Sequence, residues 1–413
     1  MRFKRALGLL SVRRAGLLVI TAAPGLQRLA FMAILSARLP VESVGLVMAD
    51  LGIAAFLSLL AGGALSTQVM ASWAGMSDAA SRRRVSNQML VWQAAALAIV
   101  APLTALLWKA GLVAAPVPVF LFFLGFSIWQ TERAKLLCDR RLVPLLVVEV
   151  CLTAMAAASA LVSATTALAA YGAAMLMAGV AVMVFGRQLT GMQEKTEAAK
   201  GLNHRETAML AANSMVSTGR DLLMVPAIRW VAGNATAGLA AQVLTTMSAL
   251  LLLPRALSYH YMPGLSRQAG SASGIAGVLA DYQRSMSLVL AGISVALLVG
   301  VGVAWSAGVH ASQLLVIGLA GASLVAGQAS LVSASVLMVR QSVAPILTSA
   351  LWTTLVWALA VLALAGGRSN GQWLAEALLL LAVVLSLGRA LYLRRRADRA
   401  VDPHHDALTQ GRS

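Results

Sequence analysis

Residues 41–66 read VESVGLVMADLGIAAFLSLLAGGALS. Between Ser43 and Ser66 the only charged residue is Asp50, and the apolar residues follow one another without the alternation of a strand that lines a barrel. A helix rising 1.5 Å per residue needs roughly 20 such residues to cross a hydrocarbon core of about 30 Å. The stretch therefore predicts a transmembrane helix with one carboxylate near its centre, where an ionisable group is costly and marks a function or a pairing.

The same pattern returns about every thirty residues along the 413-residue chain. Twelve spans are predicted, at 16–37, 43–66, 89–108, 116–131, 142–164, 166–185, 207–231, 236–261, 286–305, 312–338, 343–365 and 373–393. Composition agrees: 59% of residues are hydrophobic, 11% are charged and the mean hydropathy is +0.81, values outside the range of soluble domains. The expected fold class is all-α, a polytopic membrane protein.

The net charge of +17 does not point to nucleic acid, because the 32 Lys and Arg residues are segregated by topology. With the amino terminus in the cytoplasm, only Arg38, Lys109 and Arg368 fall in outward connections. The clusters at Arg2 to Arg5, Arg13 and Arg14, Arg82 to Arg84, Arg140 and Arg141, and Arg394 to Arg396 lie inside. Both termini are expected in the cytoplasm, with the first helix uncleaved because it contains Arg28 and lacks a small-residue cleavage site. Cys138 and Cys151 suggest neither a disulfide framework nor a metal site, and His404 and His405 have no partner ligands at usable spacing. No metal or cofactor is expected.

Outward connections at 38–42, 109–115, 232–235, 307–311 and 366–372 are short and leave no room for an extracytoplasmic catalytic domain. An enzyme is not expected. There is no glycine-rich phosphate loop, which argues against an ATP-driven pump.

An internal repeat supplies the domain organisation. Arg28 aligns with Arg220, Gly45 and Leu46 with Gly238 and Leu239, and ALSTQVM from Ala64 with ALSYHYM from Ala256, all at an offset close to 192 residues. Six helices per copy is an even number, so the copies share one orientation, an arrangement that secondary transporters use for alternating access through a cavity between halves. The predicted domains are an amino-terminal bundle at 1–187, a cytoplasmic linker at 188–206, a carboxy-terminal bundle at 207–393 and a tail at 394–413.

Arg28 and Arg220 each lie about 13 residues into their spans, roughly 20 Å deep, too far for easy snorkelling. They are expected to face each other across the cavity as substrate cations, or else to be held in ion pairs, Arg220 with Asp50 or Asp221 for example. Pro24, Gly25, Gly219 and Pro226 are expected to weaken both helices locally. Arg255, after Pro254, is a third candidate at the cytoplasmic mouth. Asp50, Asp221 and Glu149 are the candidate ion-pair or coupling carboxylates, and Arg229 is read as an interfacial anchor. Trp73, Trp92, Trp108, Trp129, Trp305 and Trp373 are assigned to aromatic belts. The planar guanidinium suits phosphate, whereas a site for organic cations needs surplus carboxylates, so the inventory leans toward an anion.

LPVESVGLVMADLGIAAFLSLLAGGALS, from Leu39, resembles the early helices of bacterial polysaccharide flippases of the Wzx type. These belong to the MOP superfamily, which also holds the MATE exporters and the peptidoglycan lipid flippases. GNATAGLAAQVLTTMSALLLLPRALSYHYMPGLSRQ, from Gly233, is similar to that family's eighth helix, ending in Pro263, Ser266 and Arg267. The chain departs from the family in lacking the tyrosine often found near Gly45 and Gly238. The resemblance implies a MATE-like fold of two six-helix bundles in the bacterial inner membrane. It also implies a flippase moving an undecaprenyl-diphosphate-linked oligosaccharide, the repeat unit of an O-antigen, capsule or exopolysaccharide, beside a polysaccharide polymerase and glycosyltransferases. Arg28 and Arg220 would bind the diphosphate or acidic sugars and Arg255 would guide entry. The alternatives are a MATE-like exporter of small organic molecules and a membrane enzyme of polysaccharide assembly.

Overall fold

The computed structural model describes residues 12–73, 79–139, 141–188, 204–267, 272–340, 344–366 and 371–401. Among them the chain is all α, without a strand. The first half holds α1 (Val12–Arg38), α2 (Val41–Leu57), α3 (Gly62–Ser72), α4 (Ala79–Lys109), α5 (Pro116–Cys138), α6 (Leu142–Ser159) and α7 (Ala164–Gln188). The remainder is α8 (His204–Ala232), α9 (Asn234–Leu250), α10 (Leu252–Arg267), α11 (Ala272–Ser306), α12 (Ala311–Gln328), α13 (Leu331–Val339), α14 (Ala344–Gly366) and α15 (Gln372–Val401). Counting α2 with α3, α9 with α10 and α12 with α13 as broken spans returns the twelve predicted crossings.

Nine of these spans are long and apolar enough to cross a membrane. The other three, α1, α5 and α8, carry Arg28, Arg133 and Arg220. Large apolar side chains such as Val91, Ile99, Leu298, Val299, Leu359 and Leu362 are exposed along the helices, as a lipid-facing surface requires. This is a multi-pass membrane protein.

No helix ends at Pro24 or Pro226. α1 runs through Pro24 and α8 through Pro226 without interruption; prolines are tolerated in membrane helices where neighbouring groups satisfy the freed backbone. The first break falls instead at a short 3-10 turn, Ser58–Leu60. There the carbonyl of Leu60 accepts the indole N–H of Trp92 at 3.1 Å, and Ser58 donates to the Ala54 carbonyl at 2.7 Å. The α9–α10 break at Leu251 lies at the corresponding place of the second repeat.

The chain forms two compact units, Met1–Pro226 and Ala227–Ser413. Within the first, α2, α4 and α7 pack on α5, and α6 on α7; within the second, α9, α11 and α15 pack on α12, and α14 on α15, the same order of partners. The division between the two units falls within α8, and of the linker expected at 188–206, 189–203 lie outside the described residues. The first part of α8 packs onto α2 and α3. A Cβ placed on Gly52 would lie 2.6 Å from the Leu222 carbonyl oxygen, and one on Gly219 2.7 Å from the Phe56 ring. Thr207 also donates a hydrogen bond to Gln68. Arg28 and Arg220 consequently belong to one unit.

Three tryptophans assigned to belts are core residues. Trp129 is fully buried against Gly179, Trp73 is buried under α4, and Trp92 serves the break described above. Trp108, Trp305 and Trp373 are exposed near helix ends, as expected.

Without a hydrophobic force between helices in lipid, close backbone approach carries the packing, and α5 meets α7 through glycines. A Cβ on Gly125 would sit 2.1 Å from the Gly172 carbonyl oxygen, and one on Gly172 2.6 Å from the Phe122 Cα. Gly125→Leu is therefore expected to destabilise the first unit by about 3 kcal/mol, since the clash is with backbone and no rotamer relieves it. Gly292→Ala, with nothing within 4 Å of the added Cβ, is the control. Thermal unfolding in detergent should show a lowered, broadened transition for the first and an unshifted one for the second.

Candidate functional site

α1 carries Gln27 and Arg28 on consecutive positions, so about 100° of helix rotation separates them and they meet different surroundings. Gln27 is fully buried, whereas Arg28 is partly exposed. The Gln27 amide donates to Glu149 Oε2 of α6 at 2.6 Å, and its carbonyl accepts from the Tyr171 hydroxyl of α7 at 3.4 Å. Arg133 of α5 completes the cluster. Its Nε donates to Glu149 Oε1 at 2.5 Å and its Nη2 to the Ile20 carbonyl of α1 at 2.6 Å. Three helices thus meet on one carboxylate that is 1% exposed, and α7 joins them through Gln27.

This network gives Glu149 a structural use. A carboxylate buried among helices is tolerated only when paired and hydrogen-bonded, and here both oxygens are engaged. Around it lies an aromatic layer: Tyr171 packs on Phe31 and Phe122 at ring-centre distances of 5.1 and 5.3 Å, and Phe122 stacks on Phe126 at 5.5 Å. The Arg28 guanidinium carbon stands 5.8 Å from the centre of the Phe126 ring, within cation–π range. Gln27 fixes α1 on the carboxylate side, and the aromatic layer therefore presents Arg28 one position further round the helix.

Arg220 is buried, 8% exposed, with Nε and Nη2 3.4 Å from Asp221 Oδ1, at the long edge of charge-assisted hydrogen bonds. Asp221 itself is 46% exposed at its side chain. Asp50, 2% exposed, accepts the backbone N–H groups of Ala114 and Ala115 at 3.1 and 3.0 Å, anchoring the turn that starts α5. Asp50 has a structural use in these bonds. Arg255 stands on α10, with its side chain outside the described residues. Arg229 donates to Asn234 Oδ1 at 3.1 Å across the α8–α9 turn, where Gly233 adopts a φ of 87°; it ties that turn, a more specific part than anchoring.

The residues that sequence reading passed over are Gln27, Arg133 and Tyr171. The span expected at 116–131 closes before Arg133, whereas the helix runs to Cys138. The available signal was Glu149 itself: mid-helix and apolar on both sides, it requires a cation from a neighbouring helix.

No protein-family profile and no curated protein sequence matches the chain, but solved transporters share its fold over nearly its whole length. An outward-facing multidrug resistance MATE family transporter of the MOP superfamily superposes with a TM-score of 0.59 at 13% identity, covering 94% of this chain and 95% of that one. An inward-facing one gives 0.62 at 12% identity, with 91% and 94% covered. A MOP superfamily transporter from Pyrococcus furiosus, whose reversed binding-pocket polarity suggests a different function, gives 0.56 at 12% identity, with 95% and 96% covered. The chain thus has a MATE-like fold.

Proposed function

We propose that this chain is a secondary flippase that moves a polyprenyl-diphosphate-linked oligosaccharide across the bacterial inner membrane by alternating access, both termini being cytoplasmic. The observation that carries the reading is the charge balance at membrane depth in the first unit. Glu149 is tied to Arg133 and Gln27 and Asp50 to backbone N–H groups, both nearly unexposed. Carboxylates of that kind are poorly placed to receive an organic cation, while Arg28 stands partly exposed.

A diphosphate cannot cross hydrocarbon unaided, and paired guanidinium groups supply the planar, charge-assisted bonds that replace its water. Arg28 and Arg220 are assigned to that task and Arg255 to entry, with the lipid tail left in the bilayer. Asp221, the most exposed of the three candidate carboxylates, is the one assigned to coupling. The Pyrococcus furiosus transporter, described by the reversed polarity of its pocket, is a precedent for the same fold changing function with pocket charge. A polysaccharide polymerase and glycosyltransferases are the expected pathway partners.

Proteoliposomes test this against the small-molecule alternative. Purified protein should accelerate transbilayer movement of a polyprenyl-diphosphate oligosaccharide and leave an organic-cation dye unmoved. Dye export with no acceleration of the lipid would replace the reading with a MATE-like exporter.

A further inference from the structure

A second charged feature lies in the first unit, apart from Arg28 and Arg220. A cavity of about 360 Å³ opens where the end of α3, the start of α4, the end of α5 and the last turns of α7 converge. Its lining includes four cations, Arg82, Arg83, Lys135 and Arg141, against two carboxylates, Glu132 and Asp139. Read from sequence, these cations are topology determinants, which require only a charge on the proper side of the membrane. The structure shows more than that.

Trp73 organises the polar end. Its indole N–H donates to Asp139 Oδ1 at 3.1 Å, and Arg82 Nη1 reaches the same oxygen at 3.1 Å. The Arg82 guanidinium carbon and the Lys135 ammonium each lie 5.4 Å from the Trp73 ring centre, and Lys135 is bonded to Glu132 at 2.6 Å. Both carboxylates are thereby matched by a lining cation, and the cavity keeps a surplus of two positive charges. Gln93, hydrogen-bonded to Thr131 at 3.1 Å, adds a neutral polar group.

The rest of the lining includes apolar side chains, Met89 and Leu90 of α4 and Val182 and Met183 of α7. Val91, Val180 and Val184 are exposed on the same two helices. Cations and apolar side chains lining one cavity between membrane helices suit a lipid headgroup.

We propose that this cavity binds a phosphate-bearing headgroup carrying about two negative charges, with the attached chains lying along α4 and α7. The proposal is independent of the identity of the transported cargo. The phosphate sits among Arg83, Arg141 and the Trp73-held Arg82 and Lys135, whose rigid placement lowers the entropic cost of gathering four cations.

Native mass spectrometry of the full chain in detergent tests it, with diphosphatidylglycerol, phosphatidylcholine and inorganic pyrophosphate as probes. Wild type should retain diphosphatidylglycerol over phosphatidylcholine. Arg83→Gln with Arg141→Gln should weaken that retention roughly thirtyfold, given the contribution of each basic residue near a lipid surface. Arg394→Gln with Arg395→Gln, which removes the same charge from the exposed end of α15, should leave it unchanged, and unfolding temperatures should match in all three proteins. Competition by pyrophosphate assigns the phosphates as the recognised group of a lipid. Tight pyrophosphate binding without lipid retention, lost in the Arg83/Arg141 variant, assigns the same site to a soluble phosphate compound. Equal losses in both double variants, or phosphatidylcholine held as tightly as diphosphatidylglycerol, would overturn the proposal.

Discussion

Arg133→Ala is expected to destabilise the first unit by about 3–5 kcal/mol, the usual consequence of leaving one member of a buried ion pair without its partner. Glu149 would then keep a single side-chain donor, Gln27, for a carboxylate that is 1% exposed. Loss of the Arg133 bond to the Ile20 carbonyl adds to the effect by releasing α1 from α5. Arg133→Met combined with Glu149→Gln should recover most of the stability, because the pair is replaced by groups of similar volume that carry no charge and the glutamine still meets Gln27. A double-mutant cycle on unfolding in detergent should give a coupling energy of about 2 kcal/mol or more. Additive single effects would show that the two residues act separately and that the four-helix junction is held by the aromatic layer alone.

The second large effect concerns transport. Arg28→Ala and Arg220→Ala are each expected to lower the flipping rate by roughly ten- to a hundredfold, since a hydrogen bond to a charged group contributes about 1.5–3 kcal/mol and its loss at a desolvated phosphate is poorly compensated. Lysine at either position keeps the charge but not the fork, so Arg28→Lys and Arg220→Lys should be intermediate. Arg28 is partly exposed and stacked on Phe126, so its truncation should leave the unfolding temperature nearly unchanged. Arg220 is buried, and Arg220→Met keeps its packing while removing the charge. Rates within twofold of wild type for both alanine variants would remove these residues from the cargo path.

Much of this fold was legible from hydropathy because a bilayer imposes a simple rule: a helix must be apolar for about 20 residues or have its polar groups satisfied by neighbours. The twelve spans followed from that rule, and the repeat from residues that match at an offset close to 192. Where α2 gives way to α3, and α9 to α10, was not legible, since the breaks depend on contacts such as Trp92 to the Leu60 carbonyl that join residues distant in sequence. Whether Pro24 and Pro226 end a helix is decided likewise by their surroundings, and here α1 and α8 continue through them. The close approach of α8 to α2 at Gly52 and Gly219 was not legible either, because composition does not reveal it.

The site was legible in part. Charge at depth singled out Arg28, Arg220, Asp50 and Glu149, but the partners of Asp50 and Glu149 lie in other segments of the chain. Glu149 is a junction with Arg133, and Asp50 a cap for the α4–α5 turn. Trp73 illustrates the same limit: near a helix end it fits a belt, while in the fold it holds two cations and a carboxylate around a cavity.

The most direct measurement follows the cargo in cells that lack this protein. The account predicts that lipid-linked oligosaccharide accumulates in the cytoplasmic leaflet, shielded from a membrane-impermeant glycan-modifying reagent. Wild-type protein should return it to the periplasmic leaflet, and the Arg28→Ala, Arg220→Ala double variant, present at equal abundance, should not. Oligosaccharide reaching the periplasmic leaflet at the normal level without the protein, or full recovery with the double variant, would contradict it.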